Sequence, residues 1–175
     1  LSNRVSQLGQ HFDKNVRHGK TRLVFTEAEL AGVPAGVVKA ARRDAKGRLL
    51  LGLDYPTYYP VMERAESAAA RERMWRAKTN EGGAPNLKLL AEITRLRQDY
   101  ARLFGFDSYA DFMLRRRMAK DTANADRFLN EVKQAVAEGE KRDQASLRAA
   151  KAKHTGQPLE KATVQPWDVA FYTEG

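Results

Sequence analysis

The chain has 175 residues, 42% hydrophobic and 30% charged, with a net charge of +9 and no cysteine. That length builds one large domain or two small ones around a real core. Without cysteine there is no disulfide framework and no thiolate zinc site; no apolar run is long enough to span a bilayer, and no charged-then-apolar signal segment opens the chain. The positive balance points first to an anionic partner such as nucleic acid. Its distribution argues otherwise, because Asp and Glu interleave with Lys and Arg along nearly every segment. Only Arg42–Arg43, with Lys46 and Arg48, and Arg115–Arg116–Arg117 are dense clusters, so neither nucleic acid nor a membrane is expected as a partner.

The opening residues, 1 to about 20, read as a helix, since Leu1, Val5, Leu8, Phe12 and Val16 recur three or four apart. "TRLVFT" (Thr21–Thr26) has the β-branched and aromatic content of a short strand. "EAELAG" is a helical turn ending at Gly32, and Pro34 opens a helix through "PAGVVKAARRDA". "LLLGLDY" (Leu49–Tyr55) is a second strand. The two strands can pair, although the sequence leaves their pairing open.

From there helix dominates. "TYYPVMERA" is a short helix with Pro60 near its first turn, and Ser67 caps "SAAARERMWRAKTN". "EGGAP" is a break. After Asn86, the residues Leu90, Ile93, Leu96, Tyr100, Leu103 and Phe104 mark a stripe for burial, with Gly105 as a left-handed stop. Ser108 and Asp111 form a capping-box pattern. Asp121 or Thr122 caps a long helix towards Ala152, whose apolar face is Ala125, Phe128, Leu129, Val132 and Val136. "HTGQPLEKATVQP" reads as a linker, and Pro166 and Asp168 as the opening of a last helix. The fold class is therefore mainly α: an antiparallel helical lobe with one or two short β-strands.

Candidate chemistry is sparse. His11 and His18 lie seven apart on one helix, about 10 Å along its axis, too far for a shared zinc, and His154 borders the linker. All three read as surface histidines. There is no HExxH, no GxSxG elbow, no GxGxxG and no P-loop. Glu27, Glu29, Glu138 and Glu140 read as solvated carboxylates. "YPTYYP" (Tyr55–Pro60) is the most unusual stretch: an aromatic-packed corner, with ligand contact as the alternative, since Tyr pairs an apolar body with a polar tip. No residue is identified as catalytic or metal-binding, and the substrate-contacting residues are left unknown.

Five stretches in order carry a family resemblance. "LRQDYARLFGFDSYADFMLRRRMAKD" resembles a motif of the M3 zinc oligopeptidases at Leu96, Arg97, Ala101, Leu103, Gly105, Phe106, Ala110, Asp111, Leu114, Met118, Ala119 and Lys120. "LVFTEAELAGVP", "LGLDYPTYYPVM", "FLNEV" and "QPWDVAFYTE" resemble further family segments, the last its Trp-Asp corner. The departures are Phe104, where Leu is usual, and Phe171, where Tyr is usual. The Tyr-Pro corner resembles the thimet and neurolysin branch in particular.

The resemblance implies a cytoplasmic parent enzyme that hydrolyses short peptides with zinc, and an almost wholly helical architecture of two lobes about a narrow channel. The family's zinc-binding motif lies downstream of the Trp-Asp corner. Residues 1–175 are accordingly expected to be a single helical region of the N-terminal lobe, with 153–166 linking it to a catalytic half absent from this chain. The region would form channel wall and restrict substrate size. It would be inactive alone and bind no zinc itself. The competing expectation is a truncated, non-enzymatic helical module that binds peptides or partner proteins.

Overall fold

The computed structural model describes residues 1–174. In chain order its elements are α1 (Ser2–Arg17), β1 (Leu23–Phe25), α2 (Ala35–Ala40), β2 (Arg42–Arg43), β3 (Leu49–Leu51), α3 (Tyr55–Arg64), α4 (Ala68–Thr79), α5 (Gly83–Arg102), α6 (Tyr109–Leu114), α7 (Thr122–Thr155) and α8 (Val169–Glu174). Single 3-10 turns cover Ala28–Leu30 and Leu159–Lys161. The protein is mainly helical with one small sheet, as the periodicities predict. The chain divides into two compact units: residues 1–19 with 82–140, and residues 20–81 with the segment from 141 onward.

The sheet belongs to the second unit. It is antiparallel in the order β1-β3-β2, with Phe25 opposite Leu49 and Arg43 opposite Leu49 on the other side. Leu49 and Leu51 point to one face and are buried, and Leu50 to the other, as the strand period requires. The buried face joins Phe25, Leu30, Val61, Met62 and Met74 in one core cluster, with Trp75 and Trp167 packed against it. Gly32 has φ +86°, and a Cβ there would stand 2.2 Å from the carbonyl oxygen of Arg64, so this turn admits only glycine.

Two local expectations fail in this unit. The helix opened by Pro34 ends at Ala40 rather than Ala45. Arg42–Arg43 instead pair with β3 across a turn in which the Asp44 carboxylate accepts from the N–H groups of Lys46 and Arg48 (both 2.9 Å) and Gly47 takes φ +76°. An Asp-centred turn thus overrides a sequence that reads as helix. Pro60 lies inside α3, not in its first turn: Asp54 and Pro56 start the helix earlier.

In the first unit α1 packs on α5. Leu8, Ile93 and Leu96 form its buried cluster, flanked by Val5 and Leu89. Buried Asn86 adds a polar tie, donating to the carbonyl of Phe12 (3.1 Å) and accepting from Asn15 Nδ2 (2.7 Å). The break at "EGGAP" is shorter than expected. Only residues 80–82 are outside helix, because Gly82 turns the chain at φ +81° and Pro85 fits a first turn. Gly105 is the left-handed stop, at φ +77°. Ser108 accepts from the Asp111 N–H (3.0 Å), and Asp121 from the Asn124 N–H (2.7 Å), so both predicted caps form.

The predicted stripes differ in outcome. Leu90, Leu103 and Phe104 are exposed, although Ile93 and Leu96 are buried. The apolar face expected on α7 is on the surface: Phe128, Leu129, Val132 and Val136 are all exposed. A period of 3.6 identifies a helix face; it does not supply the neighbour that covers it.

Candidate functional site

The most heavily built site surrounds the Trp-Asp corner in the sheet-bearing unit. Asp168 is 0% exposed and Arg71 1%, and their side chains pair at 2.8 Å. The Lys151 ammonium reaches the other carboxylate oxygen at 2.6 Å, and the Gln165 N–H donates to that same oxygen at 3.0 Å. Arg71 spends its remaining donors on the carbonyls of Ala65 (2.6 Å), Glu66 (3.2 Å) and Trp167 (3.1 Å). Its guanidinium also lies 4.1 Å from the centroid of the Phe171 ring. Buried charge is tolerated only when paired and hydrogen-bonded, and here both conditions hold.

Burial pushes the Asp168 carboxyl up; the hydrogen bonds from Lys151, Arg71 and the Gln165 N–H, with the charge of Lys151, outweigh it and hold it below the usual carboxylate range. Asp168 therefore bonds back into its own turn and into α4 and α7, where the sequence suggests a cap for α8. Nothing local marks Arg71 for this role: it is one of several arginines in its helix and stands 97 positions from its partner.

Beside this corner in sequence, His154 on α7 and Tyr172 on α8 meet, with Nδ1 3.1 Å from the phenol oxygen. Phe171 lies 5.4 Å from the imidazole, centroid to centroid. With Ala150 and Lys153 these residues line a cleft of about 440 Å³. The arrangement offers a cation, a phenol and an imidazole above an aromatic wall, a chemistry suited to a carboxylate or peptide amide next to an apolar side chain. His154 is exposed, as expected of a surface histidine, yet it has partners. The segment expected as linker, 153–166, begins inside α7 and is then held by Arg148, which donates to the carbonyls of Leu159 and Ala162 (both 3.2 Å).

At the Tyr55–Pro60 corner, Tyr55 (64% exposed) and Tyr59 stack at 5.5 Å, and the Lys78 ammonium lies 4.9 Å from the Tyr55 ring. Tyr58 alone turns inward onto the core, and burial raises its pKa. The corner is thus only partly the packed aromatic cluster that the sequence suggests. Glu27 and Glu29 are not free carboxylates: Glu27 pairs with Arg43 and Glu29 with Arg73 (both 2.6 Å). Glu29 also accepts from the Thr26 N–H, the main cause of its lowered pKa. His11 and His18 are exposed at α1. Among the described residues no group of three His, Asp or Glu side chains could hold a metal ion.

Residues 61–175 match peptidase family M3. The whole chain is similar to oligopeptidase A of Escherichia coli, at 39% identity over 99% of this chain and 27% of that protein. It is also similar to oligopeptidase A of Haemophilus influenzae, at 35% over 98% and 27%. The thimet-like oligopeptidase of Dictyostelium discoideum matches at 27% over 73% of this chain and 19% of its own length. The chain belongs to peptidase family M3. It spans about a quarter of the length of the oligopeptidase A relatives (27%). The Tyr-Pro corner, read alone, suggests the thimet branch, but identity over the chain is higher with oligopeptidase A. A corner set by a helix start is a weak marker of lineage.

Proposed function

We propose that this chain is a non-catalytic portion of a zinc-dependent oligopeptidase that hydrolyses short peptides. The carrying observation is the 39% identity to an oligopeptidase A along 99% of the chain, in a sequence without HExxH. In this reading residues 1–175 are one helical region of the N-terminal lobe, forming channel wall and limiting substrate size. No residue of the chain is catalytic or metal-binding. Zinc held elsewhere in the parent would supply the Lewis acid for peptide hydrolysis, and the residues of this chain would contribute none of its ligands. The parent is cytoplasmic, with short peptides as substrates and neither nucleic acid nor membrane as partner.

The test has two arms. The isolated chain is incubated with zinc and an internally quenched peptide, and no hydrolysis is expected. The chain is then grafted in place of the corresponding segment of the Escherichia coli oligopeptidase A. The graft should cleave the same peptide and leave a folded protein intact. Hydrolysis by the isolated chain overturns the proposal, as does a folded graft that attacks folded proteins. If the isolated chain instead binds peptides and the folded graft is inactive, the truncated peptide-binding module is the better account.

A further inference from the structure

The small sheet has a second face. Leu50 points away from the core, and the register sets Arg42 of β2 directly opposite it. Arg22 comes just before β1 and Gly52 just after β3, so the two continue the same antiparallel ladder. Beside this face lies a cleft of about 360 Å³, bounded by α2 and the start of α3. That is the size of a small-molecule site, and so is its make-up, an apolar lining with a few polar groups. Val37, Leu50 and Pro56 supply the apolar part, and Arg22, Arg42 and Asp54 the charges. All six belong to the sheet-bearing unit.

These charges are left over by the fold. Among the described residues, no ion pair engages Arg22, Arg42 or Asp54. Arg22 donates only to the carbonyl of its neighbour Thr21 (3.0 Å), and Asp54 Oδ2 accepts from the Thr57 hydroxyl (2.8 Å). Asp54 stands at the N-cap of α3, where a carboxylate ordinarily accepts from the first helical N–H groups. Its side chain makes no such bond. Oδ1 lies over Gly52 instead: a Cβ built there would stand 2.7 Å from Oδ1 and 3.3 Å from an Arg22 guanidinium nitrogen. A carboxylate and a guanidinium therefore flank one gap, which the missing side chain of Gly52 keeps open. On the α2 side, a Cβ on Gly36 would meet nothing within 4 Å.

The pattern of charge selects the ligand. A guanidinium takes a carboxylate with two parallel hydrogen bonds, and a carboxylate takes an ammonium. An inorganic anion would satisfy the arginines, but it would set a negative charge beside Asp54 and leave the apolar lining bare. The interior of a peptide has neither end charge. A free α-amino acid carries both charges on one carbon, with a side chain left to cover the lining.

We propose that this cleft binds a free α-amino acid with an apolar side chain, its carboxylate held by Arg22 and Arg42, its ammonium by Asp54 Oδ1, and its side chain against Val37, Leu50 and Pro56. The site owes nothing to the peptidase reading given above, and its test includes no peptide hydrolysis, so either can fail without the other.

The test titrates the ¹⁵N-labelled chain with free L-leucine and follows the backbone amides of Gly36 and Gly52. Both should shift saturably, and Gly105, in the other unit, should stay in place. N-acetyl-L-leucine lacks the ammonium and L-leucinamide the carboxylate, and each should bind at least about tenfold more weakly. Arg22→Gln and Arg42→Gln should each weaken L-leucine by about tenfold, the loss of one charge-assisted contact. Gly36→Leu should abolish binding by filling the cleft. It should also keep the fold, because the new side chain enters open space and leucine is a better helix former than glycine.

Equal binding of the acetylated or amidated compound overturns the proposal. So does inorganic phosphate if it produces the same shifts at the same concentration, which would make the cleft an anion site only. Undiminished binding in a folded Gly36→Leu chain places the ligand elsewhere and overturns it too. The oligopeptidase A graft supplies a second measurement, by dialysis against labelled L-leucine. Absence of binding in both the chain and the graft overturns the proposal.

Discussion

In the sheet-bearing unit eleven buried side chains form one cluster, from Phe25 to Met74, whereas the cluster between α1 and α5 buries only Leu8, Ile93 and Leu96. The difference does not come from a shortage of apolar residues. Leu90, Leu103, Phe104, Met118, Phe128, Leu129, Val132 and Val136 all belong to the unit built on α1 and α5, and all are exposed. The sheet-bearing unit folds a sheet, α3 and α4 onto a common centre and closes it with the Arg71–Asp168–Lys151 ion network. The other places a long helix without covering its apolar face. The lesson is that burial depends on how many elements converge, and apolar content alone does not secure it.

The largest expected effect lies in the ion network. Arg71→Ala leaves Asp168 buried with one partner fewer and should destabilise the sheet-bearing unit by about 3–5 kcal/mol, read by denaturant unfolding and by faster amide exchange in α4 and α8. The same network sets an acid dependence. The Asp168 carboxyl is held below its ordinary value of 3.8, so its contribution is complete at neutral pH. It is lost as pH falls below about 4 and through the depressed native value. Asp168→Asn should remove that part of the acid dependence. An unchanged acid profile in Asp168→Asn would show that the pairing contributes nothing.

A second experiment compares the two cores directly. Phe25→Ala empties a fully buried site among many neighbours and should cost about 3–5 kcal/mol, whereas Leu8→Ala, in the smaller cluster, should fall near the low end of the usual range of about 2–5 kcal/mol. Amide exchange reports each unit separately. Equal losses would break the contrast between the units. The smallest effect is expected at the exposed apolar face of α7: Phe128→Ser should change the stability of the isolated chain by no more than about 0.5 kcal/mol. A loss above that would mean the side chain already has a neighbour.

Much of the helical framework is legible in the sequence because its signals act within one turn of backbone. Ser67 accepts from the Ala70 N–H at 3.2 Å, Ser108 from the Asp111 N–H, and Gly105 adopts the left-handed stop. The family is legible as well, since its motifs are collinear along the chain. The candidate site is not. His154 reads as a linker residue until α7 and α8 bring it to Tyr172, and Arg71 has no local mark that separates it from the other arginines of α4.

The sequence by itself determined the caps, the stops, the strand-forming runs and the helix faces, because each depends on contacts within about four residues. Tertiary structure alone decided that Arg42–Arg43 become an edge strand against β3, that Arg71 meets Asp168 across 97 positions, and that the apolar face of α7 is exposed. These outcomes depend on which distant segments arrive at the same place. Chain closure over such separations is set by the packing of whole elements, and no short stretch of sequence encodes it.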